Sequence, residues 1–182
     1  MLRKIALGLS VLVLALFIAG IAGYVITGPQ APAADSVSAQ WLKPGPYMTA
    51  SSNKVFVDSS RGTAANRDYS GAADRTLATT LWYPLDSEES HPLVIHSHGF
   101  TSARNDLSYV AELLASHGYV VAAADYPLTH GGAPGKPNAV DVVNQPADVS
   151  FLIDSVSALS GPEKPFSGSI DASRIGLLGY SL

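Results

Sequence analysis

Residues 171–182 read Asp171-Ala172-Ser173-Arg174-Ile175-Gly176-Leu177-Leu178-Gly179-Tyr180-Ser181-Leu182. Arg174 to Leu178, apolar from Ile175 onward, follows a Gly/Pro/Ser loop and reads as a short strand. The strand feeds into Gly179-Tyr180-Ser181, four-fifths of the Gly-x-Ser-x-Gly nucleophile elbow when Leu182 is included. In that motif the serine occupies a sharp turn after a strand, in a strained backbone conformation, so that its hydroxyl stands clear above the sheet. Gly179 is expected to be glycine because a side chain there would collide with the neighbouring turn. Taken alone, Gly-x-Ser is also found in ordinary turns, so the reading depends on its surroundings.

Those surroundings build outward as a sheet. Lys54 to Asp58 alternates apolar and polar residues as an edge strand does, and Thr76 to Tyr83, ending at Pro84, is rich in threonine and aromatics. Pro92 opens Leu93-Val94-Ile95-His96-Ser97, which stops at His98-Gly99-Phe100. Asn105 or Asp106 is placed to cap a helix carrying Leu107, Val110, Leu113 and Leu114 on one face, ended by Gly118. Tyr119 to Ala124 is uninterrupted apolar sequence, as in a strand covered on both faces. Thr129 to Asn138 contains three glycines and two prolines and must be a loop. Pro146 suits the first turn of a second helix, with Val149, Leu152, Ile153, Val156 and Leu159 on one side. Strands alternating with helices at this spacing predict an α/β fold, a mostly parallel sheet with crossover helices.

The chain resembles the α/β-hydrolase superfamily. Within it the similarity is to the branch containing platelet-activating-factor acetylhydrolase-like, chlorophyllase-like and dienelactone-hydrolase-like enzymes. The matching residues are Thr80-Leu81-Trp82-Tyr83-Pro84, His96-Ser97-His98-Gly99-Phe100, Leu113 to Val121, Asp125-Tyr126-Pro127 and Asp171 to Ser181. They cover the chain from about Val55 to Leu182 in the family's order. The resemblance implies Ser181 as nucleophile, on an elbow formed with Gly179 and Tyr180. It also implies an oxyanion hole made by the backbone N–H groups of Phe100 and Leu182, with His98 and Gly99 shaping the turn that carries the first of them.

In this fold the triad runs in the order Ser, then Asp or Glu, then His. All five histidines, His91, His96, His98, His117 and His130, precede Ser181. None is a base by order, so the acid and base are expected beyond residue 182, and the hydrolase fold is expected to be incomplete at the C-terminus. His117 reads as a helix-end residue, and His91 and His130 read as solvated loop residues. Asp125, at a strand end before the serine, is expected to be structural. His96 and His98, two apart, suit a zinc ion, but no third ligand has convincing spacing, and no metal or cofactor is expected. Gly131 to Gly135 lacks the following Lys-Ser or Lys-Thr of a phosphate loop.

The 182 residues are 47% hydrophobic and 14% charged, enough to bury a core and exclude a disordered chain. A formal charge of −4 without a basic stripe argues against nucleic acid as a partner. The absence of cysteine excludes disulfides, thiolate metal sites and a cysteine nucleophile, and so disfavours dienelactone hydrolysis proper. Arg3 and Lys4 precede an uncharged run from Ile5 to Ile26, the pattern of an export signal that is also long enough to span a bilayer. Ala31-Pro32-Ala33 offers a cleavage site; a retained anchor and, less simply, a buried core helix are the alternatives. Residues 1–33 therefore read as signal peptide or membrane anchor, 34–53 as linker and 54–182 as the N-terminal part of the hydrolase domain. The expected protein is an exported serine hydrolase of carboxylic esters, acting on a small-molecule ester or lipid, secreted, periplasmic or membrane-anchored. A peptidase or amidase of the same fold, and a membrane-anchored non-catalytic binding protein, are the alternatives.

Overall fold

The computed structural model describes residues 2–159 and 161–181. The chain divides into two compact units, Met1–Leu42 and Lys43–Leu182. The first holds helix α1 (Leu2–Thr27) and a short helix α2 (Val37–Trp41), capped by Ser36, whose side chain accepts from the Ala39 N–H. Within α1, Gly8–Thr27 is long and apolar enough to cross a membrane, a test that signal sequences also pass, and none of it is buried. Helix α2 lies inside the stretch expected to be plain linker.

The second unit is a five-stranded sheet: β1 (Thr49–Asp58), β2 (Arg75–Pro84), β3 (Ser90–Ser97), β4 (Val120–Asp125) and β5 (Ser169–Gly179). The spatial order is β1-β2-β4-β3-β5. β2 is antiparallel to both β1 and β4, while β3 is parallel to β4 and β5, so only β2 runs against the rest. β1 begins at Thr49, five residues ahead of the expected strand, because its alternating exposure continues across Thr49 to Asn53 in register with β2. Helix α3 (Ser108–Ser116) joins β3 to β4, and α4 (Gln145–Ser157) lies between β4 and β5.

The apolar run of β4 is apolar because it serves two cores. Val120, Ala122 and Ala124 join Leu93, Ile95, Leu152 and Val156 on the α4 side, whereas Val121 and Ala123 join Trp82, Ala111 and Ala115 on the α3 side. Helix α3 ends in a Schellman motif: Gly118, at φ +92°, donates to Ala115 O and Tyr119 donates to Leu114 O. Its start differs from expectation. The residue before the helix is Leu107, with no side-chain cap. Asp106 instead bonds the Ser102 hydroxyl and the Ala103 N–H of the preceding loop, and Asn105 accepts from Thr80 Oγ1 on β2, so neither polar side chain is left to cap the helix.

One polar cluster sits inside this fold. Arg75, 1% exposed at the start of β2, reaches both Asp148 on α4 (2.7 and 2.6 Å) and Asp141 in the 3-10 turn Ala139–Asn144 (3.1 and 2.9 Å). Arg61 adds a contact to Asp148 at 2.8 Å and bonds Asp58 at 2.7 Å. Burial pulls the Arg75 pKa down, but the bonds to Asp148 and Asp141 outweigh it and leave the guanidinium more firmly charged than usual. The cluster fixes how α4 enters the sheet. Removing the cation alone leaves two buried carboxylates short of a partner, which costs ~3–5 kcal/mol in comparable pairs. Arg75→Met is therefore expected to lower unfolding stability by about that amount in urea titration; a loss under ~1 kcal/mol would show that the cluster is dispensable.

Candidate active site

β3 and β5 are neighbours, and their C-terminal ends are level: Ser97 pairs with Gly179. Beyond that point each strand turns, and the two turns meet. Tyr180 N–H donates to Ser97 O at 3.3 Å, and Ser181 follows at φ +55°, exposed, in the left-handed region that a non-glycine residue rarely adopts. This is the backbone conformation expected of the elbow serine. Gly99 lies against it: a Cβ on residue 99 would fall 2.7 Å from Tyr180 O and 3.2 Å from Ser181 Cβ. Gly179 is different. A Cβ there meets nothing within 4 Å among the described residues, so the expected collision at that glycine is not present. Leu182 lies outside the described residues.

The turn after β3 is held by hydrogen bonds that fix the state of His98. Its ring is 3% exposed. Nε2 faces the Tyr126 N–H at 3.2 Å, and Nδ1 faces Gly99 O at 2.8 Å. An amide N–H can only donate and a carbonyl only accept, so Nε2 is the acceptor and Nδ1 carries the proton. Gly99 O also accepts from Ser102 N–H at 3.0 Å. The N–H of Phe100 belongs to the same peptide unit as Gly99 O and makes no hydrogen bond among the described residues. Further support comes from the loop after β4: Thr101, at φ +66°, donates its N–H to Thr129 O, and Gly131 N–H donates to Ser102 O.

The other histidines are committed elsewhere. His117 ends α3 and faces Lys43 O through Nε2 at 3.0 Å. His91 is not a solvated loop residue: it lies in β3, 2% exposed, with Nδ1 at 2.8 Å from Gly118 O. β3 begins at Ser90, three residues ahead of the expected Leu93, and so includes it. His130 is half-buried, and its Nδ1 accepts from Gly132 N–H; burial holds its pKa below the ordinary histidine value. His96 is buried on β3, on the strand face it shares with Val94, and burial followed by the nearby His98 lowers its pKa. Asp125 is tied to the Arg104 guanidinium and to the Arg104 N–H at 2.8 Å, a structural role. Among the described residues no group of three or more His, Cys, Asp or Glu is placed to hold a metal.

Two residues of the site had no role assigned from sequence. Tyr126, fully buried, stacks on His98 with ring centroids 5.0 Å apart, and its hydroxyl donates to Ser97 Oγ at 3.0 Å. Ser97 takes that bond and the one from Tyr180. The available signal was their place inside Asp125-Tyr126-Pro127 and His96-Ser97-His98, where a tyrosine directly after a buried strand demands a partner for its hydroxyl.

Beneath the elbow, a cavity of about 500 Å³ opens between β3, β5 and α4, lined by Ile95, Ser97, Val149, Ile153, Leu178 and Gly179 among others. Ser97 and Gly179 place it directly behind the strand ends that carry the site.

Comparison with known proteins agrees with this architecture. A ferulic acid esterase from Streptomyces cinnamoneus shares the fold, with a TM-score of 0.55 and 24% identity over 72% of this chain; the match spans 52% of that enzyme's chain, about half its length. The mixed sheet with helices on both faces is that of the α/β-hydrolase fold. No curated protein matches the sequence. The sequence model of the family described as platelet-activating factor acetylhydrolase, isoform II, matches residues 30–127, from Gln30 through β4 to Pro127 and so including the His98–Gly99 turn. With more than half of its length in that match, the chain belongs to the platelet-activating factor acetylhydrolase, isoform II, family.

Proposed function

We propose that this protein is an exported serine hydrolase of carboxylic esters, with Ser181 as its nucleophile. The observation that carries the reading is the exposed Ser181 at φ +55°, set against the turn at Gly99 whose following N–H has no hydrogen-bond partner among the described residues. Family membership supports ester chemistry on a small-molecule or lipid substrate.

In this reading Ser181 Oγ attacks the ester carbonyl carbon, and its proton passes to a histidine carried by chain beyond Leu182, with its acidic partner. The five histidines within the chain support that placement, since His91, His98, His117 and His130 each face a backbone partner and His96 lies in the core. The carbonyl π electrons move onto oxygen, and the N–H groups of Phe100 and Leu182 hold the resulting oxyanion. As the tetrahedral intermediate collapses, the ester C–O bond breaks and the alcohol leaves with the proton from the histidine. Water then repeats the sequence on the acyl-enzyme and releases the carboxylic acid. Residues 1–33 serve as signal peptide or anchor, 34–53 link, and 54–182 begin the hydrolase domain. The apolar α1 behind Arg3 and Lys4 supports export.

Two experiments test this reading. A serine-directed phosphonate should inactivate the full-length protein and place its adduct on Ser181 by mass spectrometry. Ser181→Ala should lower p-nitrophenyl acetate turnover by at least ~10³-fold; an adduct elsewhere, with the alanine variant still active, would refute the assignment. N-terminal sequencing of protein from the producing cell should find either a mature terminus near Ala34 or an intact chain that only detergent extracts from membranes. Soluble cytoplasmic protein beginning at Met1 would contradict export.

A further inference from the structure

We propose that Tyr126 is a positioning residue, one that ties the nucleophile turn and the oxyanion turn to the same end of β3. This rests on the reading of Ser181 as nucleophile and Phe100 N–H as oxyanion donor.

Two chains of hydrogen bonds start from Tyr126. The first runs from its hydroxyl to Ser97 Oγ at 3.0 Å; the carbonyl of Ser97 in turn receives the Tyr180 N–H at 3.3 Å, one residue before Ser181. The second runs from its amide N–H to His98 Nε2 at 3.2 Å and from His98 Nδ1–H to Gly99 O at 2.8 Å. In a trans peptide unit the C=O and N–H point in opposite directions, and no cis peptide bond occurs among the described residues. Clamping Gly99 O on one side therefore aims Phe100 N–H to the other. The Tyr126 ring lies tilted at 38° to the His98 ring, which limits rotation of the imidazole away from this clamp.

In the first bond Tyr126 is the donor to Ser97. Burial raises the Tyr126 pKa to about 12, so the phenol keeps the proton it donates through neutral pH. Nothing about core packing requires this arrangement. A phenylalanine would fill the same place in the core beside the His98 ring without reaching Ser97. Tyr126 thus holds the spacing between the attacking oxygen and the donor that stabilises its product, a spacing that matters only when the oxyanion forms. Interactions of that kind appear in kcat and leave KM unchanged.

The test uses the full-length protein. Tyr126→Phe, Ser97→Ala and the double variant are compared with wild type on p-nitrophenyl acetate, beside thermal unfolding. Each single variant should lose roughly 2- to 10-fold in kcat, the range of one hydrogen bond, with KM within about twofold. The double variant should be no worse than the singles, because both break the same bond. An unchanged kcat in both singles, or a change in KM alone, would overturn the role even if the melting temperature falls. Should Tyr126→Phe fail to fold, Ser97→Ala reads the same bond. Long-range ¹H–¹⁵N spectra of the histidine rings provide a readout independent of activity: His98 should be protonated on Nδ1, and an Nε2–H tautomer would overturn the clamp. A wild-type protein with no Ser181-dependent hydrolysis but an Nδ1–H His98 would instead overturn the functional reading, and the positioning role with it, leaving the clamp intact.

Discussion

The site depends on a missing methyl group. Any side chain at residue 99 would put its Cβ 2.7 Å from the Tyr180 carbonyl oxygen, a backbone atom that cannot swing aside, and 3.2 Å from Ser181 Cβ. Glycine alone lets the turn after β3 approach the turn after β5 this closely, the approach that the proposed reaction uses. Everything else near the site serves that approach. Parallel pairing of β3 with β5 brings Ser97 level with Gly179, and the Tyr180 N–H bond to Ser97 O joins the two chains where they leave the sheet. His98, clamped between Tyr126 N–H and Gly99 O, sets the plane of the peptide that follows.

The approach also needs a rigid sheet behind it. β4 contributes small and β-branched residues to both faces, so α3 and α4 pack on opposite sides of the same strand. The Arg75 cluster anchors α4 through Asp148 and the preceding turn through Asp141. On the other flank, Asp171 organises the irregularity opposite Pro92 and Leu93 by accepting from Ser173 and Arg174, and those partners, the Ser173 hydroxyl first, hold its pKa at about 2. β5 therefore straightens into register from Ile175 onward, in the four residues that lead to the elbow.

The strands and the two crossover helices were legible because their signals are local. The uninterrupted run at Val120, the 3.6-residue spacing on α4 and the glycine at position 118 each state their structure within a few residues. The turns that follow β3 and β5 were legible through residue type and order. What escaped depends on partners distant in sequence. Asp106 and Asn105 look like helix caps until Ser102 and Thr80 take their side chains. His91 looks like a loop residue until β3 extends to include it and Gly118 O receives its ring. Asp148 sits on a helix face that periodicity marks as apolar at its neighbours, and its burial is explained by Arg75, 73 positions earlier, together with Arg61. The close approach that sequence alone puts at Gly179 falls, among the described residues, at Gly99.

The central claim is that contact between the Gly99 turn and the Ser181 turn creates the catalytic geometry. Gly99→Ala in the full-length protein tests it most directly, with Gly132→Ala as control, since a Cβ at residue 132 meets only the His130 ring at ordinary contact distance. The added methyl must push the turns apart, and a displacement near 1 Å at a reacting centre costs on the order of 100-fold in rate. The expected result is a fall of about that size in kcat on p-nitrophenyl acetate for Gly99→Ala, with Gly132→Ala close to wild type. Activity of Gly99→Ala within about twofold of wild type would contradict the account.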